Sequence, residues 1–351
     1  TWAWAATRND ALQEYAPAPG ERPGGADMRI CIAGAGAIGG VLAARLAHAG
    51  QDVSVLARGA TLAALREKGL TLRDLRGEAH VRVPASDKAE FGPQDVLFLC
   101  TKTHQLADVL ALCAPMIGPD TVIVPTINGI PWWYFHAEGG PHEGKHVEAV
   151  DPGGALLAVT PLARLVGCVV YMTAETTGPG SVVSNSPHKL ILGEPGGLAS
   201  ARVQRLCDAL SAAGITAQAS DRIRDNVWSK VAANLSSNPV SVAAGGATLG
   251  QIYSPGPLRS VAGDIIDETI AVADAYGAQL TETRLAMLDR AAKLGSFRTS
   301  MLQDFQAGRP LELAAIGDAV LELAQRYDIP MPVTRAVLSI TRFRDERRSG
   351  Y

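Results

Sequence analysis

Residues 28–58 hold the feature that most restricts how this chain folds. Gly34-Ala-Gly36-Ala-Ile-Gly39 lies between an apolar, β-prone run, Arg29-Ile-Cys-Ile-Ala33, and a helical pattern carrying Ile38, Leu42 and Leu46 one turn apart. A second β-prone run, Asp52-Val-Ser-Val-Leu56, follows Gly50 and closes at Ala57-Arg58, giving the start of a right-handed βαβ unit. In that context Gly34 permits the turn, Gly36 lets the backbone approach a pyrophosphate, and Gly39 lets the helix pack close to the strand. Gly34, Gly36, Ala37, Ile38 and Gly39 are therefore the expected phosphate cradle. The free N–H groups and positive dipole end of the first helical turn would face the anion.

The residue closing the second strand selects the cofactor. A carboxylate there would hydrogen-bond the ribose 2′-hydroxyl of NAD, but no acid occurs between Asp52 and Glu67, and Arg58 stands in that place. An arginine suits a 2′-phosphate, so NADPH/NADP+ is the expected cofactor. Otherwise Arg58 is an ordinary surface residue.

With 351 residues the chain can form two domains with separate cores, and its 47% hydrophobic and 19% charged residues fit a globular α/β protein. The net charge of −3 argues against a nucleic-acid surface, and the terminal run 342–348 mixes Asp345 and Glu346 among its arginines. Five cysteines without C-x-x-C spacing read as reduced, buried thiols of a cytoplasmic protein. No apolar run approaches the roughly 18–20 residues of a membrane helix. Residues 1–27, rich in Ala, Pro and Gly, read as a disordered extension or one loosely docked by Trp2 and Trp4.

After a helix at 61–68 and a hairpin at 69–84, Asp95-Val-Leu-Phe-Leu-Cys100 has the two-sided hydrophobicity of a buried parallel strand. Lys102 lies just past its end, and Asn128-Gly129 just past the next strand, 121–126. Ligands of open α/β sheets bind outside the carboxyl ends of the strands, so the glycine turn, Arg58, Lys102 and Asn128 are expected to share one site. Taken singly, Lys102 is a solvated lysine and Asn128-Gly129 a plain turn. His142-Glu143-Gly144-Lys145-His146 spells the zinc-protease pattern, but Gly139-Gly140-Pro141 before it and Gly144 within it favour a chance match in a loop. Residues 166–175 and 181–193 read as two or three antiparallel strands around Gly178-Pro179-Gly180. A helix over 199–213 and a strand over 215–219 follow.

Beyond Asp221 helical spacing takes over, at 224–238, 257–276, 281–294, 311–327 and 332–344. The domain division is set at 28–220 and 221–351. In the first of these helices Lys230, Asn234 and Asn238 stand four apart on one stripe. A solvent face is one reading. Asparagine, however, is a poor interior helix former, and repeats at this spacing look chosen to hydrogen-bond something.

From residue 28 to about residue 344 the chain resembles the ketopantoate reductases (2-dehydropantoate 2-reductases). The resemblance rests on the glycine motif with Arg58, on Lys102 with Gln105, and on Asn128-Gly129. It rests further on Trp228-x-Lys230-x-x-x-Asn234-x-x-x-Asn238-Pro239, on Ser300-Met-Leu-Gln-Asp304, and on Glu312 in Gly308-Arg-Pro-Leu-Glu312. It implies an N-terminal Rossmann-type dinucleotide-binding domain joined to an all-helical C-terminal domain like that of 6-phosphogluconate dehydrogenase, with substrate in the cleft between. It also implies NADPH as hydride donor, a cytoplasmic enzyme of pantothenate biosynthesis, Lys230 as general acid, and Glu312 as the carboxylate orienting substrate and lysine. Asn234, Asn238 and Ser300 become substrate hydrogen-bonding residues, and Lys102 and Asn128 position cofactor and substrate.

A buried lysine near a developing alkoxide can stabilise it and supply its proton; burial should lower its pKa while Glu312 holds it charged. The chain departs from the family pattern at Leu311, usually threonine, at Gly317-Asp318, usually Asn-Gly, and in the aromatic run Pro131-Trp-Trp-Tyr-Phe135. These changes leave open a bulkier 2-oxo acid or another carbonyl substrate. A nicotinamide-binding sensor without catalysis and a zinc hydrolase at His142 and His146 are the rivals from other classes. The expected partners are a small 2-oxo acid and, in a homodimer, a second copy of the chain.

Overall fold

The computed structural model describes residues 28–348, so the extension 1–27 with Trp2 and Trp4 lies outside the described residues. The first half contains strands β1 (Arg29–Ala33), β2 (Asp52–Leu56), β3 (Leu70–Asp74), β4 (Gly77–Val81), β5 (Ala85–Ser86), β6 (Gln94–Leu99) and β7 (Ile117–Pro125). Helices α1 (Ala37–His48), α2 (Gly59–Lys68), α3 (Leu106–Cys113) and α4 (Ala155–Val159) connect or cover them. Five strands form one parallel sheet in the order β5-β2-β1-β6-β7. This is a Rossmann-type sheet, and its strand order reverses beside β1, which opens a ligand crevice beyond the carboxyl ends of β1 and β6.

The β1–α1 junction needs its glycines. Gly34 has φ +110, and a Cβ on it would sit 2.8 Å from Thr101 Cγ2. A Cβ on Gly39 would lie 1.9 Å from the Gly34 carbonyl oxygen, so only glycine lets the helix start against the strand.

The chain then builds β8 (Gly167–Tyr171), β9 (Glu175–Gly178), β10 (Ser181–Val183), β11 (Lys189–Gly193), α5 (Ala201–Ala212) and β12 (Thr216–Ala219). The expected antiparallel group at 166–193 is four strands divided between two sheets. β9 and β10 join the β3–β4 hairpin in the order β4-β3-β10-β9, whereas β8 and β11 pair in a second sheet, β12-β11-β8. Side chains replace ladder bonds at the crossing: Ser184 Oγ donates to Thr173 O at 2.7 Å, and Ser186 Oγ accepts from Thr173 N at 2.7 Å. Under this crossing lies a buried polar cluster in which Arg45 of α1 pairs with Asp74 of β3, and His188 sits 3.7 Å from the same carboxylate.

The remainder is helical: α6 (Ile223–Leu235), α7 (Asn238–Ala243), α8 (Leu249–Tyr253), α9 (Pro257–Ala275), α10 (Arg284–Ala292), α11 (Ser300–Gln306), α12 (Ala319–Gln325) and α13 (Pro332–Arg347). The helix expected over 224–238 breaks before Asn238, which opens α7 instead of closing the Lys230 stripe. Pro239 explains the break, because it has no N–H to continue the ladder and its ring crowds the carbonyl four residues back. Ser236 and Ser237 turn their hydroxyls onto Ala232 O and Ala233 O at 2.7 and 2.6 Å, finishing α6. The helix expected over 311–327 starts later, in a π-helical turn at Ala314–Asp318, leaving Leu311 and Glu312 on the segment before it.

The aromatic run corrects another expectation. Trp132, Trp133, Tyr134 and Phe135 are all buried, in a core that continues from one face of the parallel sheet into the helices. Trp228 Nε1 donates to Tyr134 Oη at 2.7 Å, and Arg224 donates to Tyr134 O and His136 O at 2.9 and 2.7 Å. The run is a strut between the two halves, since large flat rings fill such a joint at little entropic loss. The His142–His146 segment beside it is a series of turns. Glu143 accepts from Ala137 N and Gly139 N at 2.8 Å each, His142 bonds Tyr327 Oη at 3.1 Å, and His146 pairs with Glu148 at 3.0 Å.

Candidate active site

Four strand ends meet the crevice. At the end of β1, a Cβ on Gly36 would meet nothing within 4 Å, so the start of α1 faces open space. Gly36 caps α1 with no side-chain hydrogen bond, which leaves the N–H groups of Ala37, Ile38 and Gly39 free of side-chain partners. These are the features a pyrophosphate needs. At the end of β2, Arg58 is exposed and, among the described residues, its side chain makes no hydrogen bond or ion pair.

Lys102, past β6, is engaged: its Nζ donates to Asp304 Oδ2 and to Pro310 O, both at 3.1 Å. It thereby latches the sheet to α11 and to the segment after it. The next strand, β7, leads into Asn128-Gly129, and Ile130 N donates to Ala315 O at 2.9 Å, docking this loop on the π-helical turn.

Beneath that loop lies a small cavity. It is bounded by Asn128, Gly129 and Trp133, by Cys168 to Val170 on β8, and by Val227 and Lys230 on α6. The Lys230 ammonium lies 4.8 Å from the centre of the Tyr171 ring. Burial, reinforced by the positive Arg290, pushes Lys230 down to about 8.

Glu312 has its own surroundings. Burial raises its pKa, opposed by the charge of Lys102 and by hydrogen bonding from Asn128. Among the described residues no ion pair joins Glu312 to Lys230, and the charge acting on the lysine is Arg290, which adds to the effect of burial. The expectation that Glu312 offsets the desolvation of Lys230 is thus corrected: the carboxylate belongs to the Lys102–Asp304 side of the cleft, while the lysine sits beneath Asn128. Asn128 is the residue common to both.

Asn234 lies one turn beyond Lys230 on α6 and is half-buried, so the stripe is no solvent face. Asn238 is buried at the start of α7. Ser300 is exposed as the first residue of α11. Its neighbour Thr299 performs the capping, accepting from Leu302 N at 3.1 Å, which leaves the Ser300 hydroxyl free of that duty.

The family described as "Ketopantoate reductase PanE/ApbA" matches residues 30–197, and "Ketopantoate reductase PanE/ApbA C terminal" matches residues 222–345. The chain belongs to the ketopantoate reductase family. The 2-dehydropantoate 2-reductase of Mesorhizobium japonicum is 42% identical over 317 residues, covering 90% of this chain and 97% of that one. A Ralstonia solanacearum MolK2 protein of solved structure, provisionally described as a ketopantoate reductase, is 38% identical with a TM-score of 0.86, covering 92% and 99%. D-mandelate dehydrogenase, solved with NADH and anilino(oxo)acetate, has a TM-score of 0.78 at 21% identity over 92% and 100%, and shares the fold. As a ketopantoate reductase family member the chain is an oxidoreductase.

Within this family frame, two neighbours of the site, Tyr171 and Arg290, escaped sequence reasoning, as did the contact that Asp304 makes. Tyr171 ends a strand whose apolar run gives no hint of an ammonium partner. Arg290 reads as a solvated helix arginine, and it is held by Glu282 at 2.9 Å. Asp304 was visible as part of Ser300-Met-Leu-Gln-Asp304, but its contact with Lys102 spans 202 residues of sequence.

Proposed function

We propose that the chain is an NADPH-dependent 2-oxo acid reductase converting 2-dehydropantoate (ketopantoate) to pantoate. The observation that carries this reading is a half-buried lysine, its pKa pushed down to about 8 by desolvation, lining a cavity beneath Asn128. Family membership and the Mesorhizobium relative support the substrate, and the unpaired Arg58 at the end of β2 supports a 2′-phosphate. NADPH, when bound, supplies the hydride.

The chain's own residues do the rest. Free N–H groups at the start of α1 hold the pyrophosphate, and Arg58 holds the 2′-phosphate. The Lys230 ammonium attracts the ketone oxygen as it gains charge and then gives it a proton. Asn234, Asn238 and Ser300 orient the oxo acid through hydrogen bonds, and Asn128 links the lysine side of the cleft to Glu312. Burial of the aromatic run removes a sequence-based reason for a bulkier substrate, so ketopantoate stands ahead of larger 2-oxo acids.

Two results follow. As a general acid Lys230 works protonated, so kcat is level at neutral pH and falls about tenfold per unit as pH rises past about 8. Arg58→Ala raises KM for NADPH by roughly 10- to 100-fold, the worth of a charge-assisted contact, and leaves KM for NADH unchanged. Equal effects on the two cofactors would assign the 2′-phosphate elsewhere.

A further inference from the structure

We propose that Tyr171 is a positioning residue for Lys230, its ring face fixing the ammonium and keeping it protonated at neutral pH. This inference rests on the reductase reading above. The observation is geometric. Tyr171 is the last residue of β8, α6 packs on that strand, and the lysine Nζ lies 4.8 Å from the ring centroid. That is within the roughly 6 Å over which the electron-rich face of an aromatic ring attracts a cation.

The lysine needs such a partner. The charged residue acting on it from α10 is Arg290, which is repulsive, and Glu282 is already bonded to that arginine. Glu312 lies on the other side of the cleft beside Lys102. From β7 and its loop the cavity receives Asn128 and Trp133, which are neutral, from α6 Val227, and from β8 Cys168, whose thiol burial pushes up and keeps uncharged. Among the described residues, the Tyr171 face is therefore the attractive contact that offsets burial. Tyr171 does not itself titrate in the working range, because burial pushes its phenol up to about 12. A ring face also attracts an ammonium without accepting its proton, so every N–H of Lys230 remains available to the substrate oxygen.

The test compares the pH dependence of kcat in the wild type, Tyr171→Phe and Tyr171→Leu. Phenylalanine keeps the ring face, so its basic limb stays at the wild-type position. Leucine removes it, and the limb moves to lower pH by about half a unit to one and a half units, with KM for the oxo acid little changed. A merely structural role would lower kcat equally at all pH values.

A limb unmoved by Tyr171→Leu, or moved as far by Tyr171→Phe, overturns the proposal. Trace acetylation of Lys230 as a function of pH, read by mass spectrometry, reports the same shift without turnover. If the wild type reduces no 2-oxo acid, the reductase reading fails, and the acetylation profile alone decides the role of Tyr171. An unshifted profile in Tyr171→Leu overturns it there too.

Discussion

Lys230→Ala lowers kcat for ketopantoate reduction by roughly 10²- to 10⁴-fold, the usual contribution of a positioned general acid, and leaves the NADPH dissociation constant unchanged. The cofactor contacts proposed at the start of α1 and at Arg58 are not among the residues lining the cavity beside the lysine. Folding does not suffer. A lysine whose folded pKa lies below its unfolded value destabilises the native state most fully below the folded value, at about pH 8, and the penalty fades as pH rises towards 10.5. Removing the amine at pH 7 therefore leaves the melting temperature unchanged or raises it. Lys230→Arg keeps a positive charge but holds its proton too tightly to give it up, so it also loses turnover. A variant that melts as the wild type does but has lost catalysis is the signature of a functional lysine. Undiminished kcat in Lys230→Ala would remove it from the reaction.

The largest loss of stability is expected at Asp74. Arg45 Nε donates to its carboxylate at 2.8 Å, and the two side chains are 7% and 2% exposed. Asp74→Ala strands the Arg45 charge in the interior and costs about 3–5 kcal/mol, read as a fall in the denaturant midpoint. Replacing both partners by apolar residues of similar volume should restore most of that loss. The same cluster makes stability pH-dependent. Burial would raise Asp74, but Arg45 holds it below the ordinary carboxylate range, and burial holds His188 below the ordinary imidazole range. Both groups contribute stability above their unfolded pKa values. Stability therefore falls first as pH drops below about 6.5, where unfolded histidine takes up its proton, and again below about 3.9 for Asp74. Midpoints that do not change between pH 7 and 5 would contradict this.

The parallel sheet was legible because its signals are local. The glycine motif, two β-prone runs and a two-sided hydrophobic strand each lie within a few residues, and sheet order then gathers Gly36, Arg58, Lys102 and Asn128 at one edge. What the sequence concealed depends on distant contacts or on competition between local rules. The Lys230 stripe reads as one helix, but Pro239 breaks the ladder and gives Asn238 to α7. The strand period at 166–193 is real, but it cannot say that β9 and β10 part from β8 and β11, with β10 pairing in parallel with β3. Trp132 to Phe135 look available for substrate because aromatic residues in a Gly/Pro-rich stretch resemble a binding loop. Their burial follows from Trp228 and Arg224, some 90 residues later. The separate surroundings of Lys230 and Glu312 were likewise invisible, since Arg290, Lys102 and Asp304 converge from three elements.

Oxidation of NADPH followed at 340 nm, with purified protein and ketopantoate, tests the central claim most directly. The account predicts that NADPH is consumed one for one with the appearance of pantoate, and that NADH is a poorer donor. Protein that binds NADPH yet consumes it with neither ketopantoate nor any other 2-oxo acid would contradict the account.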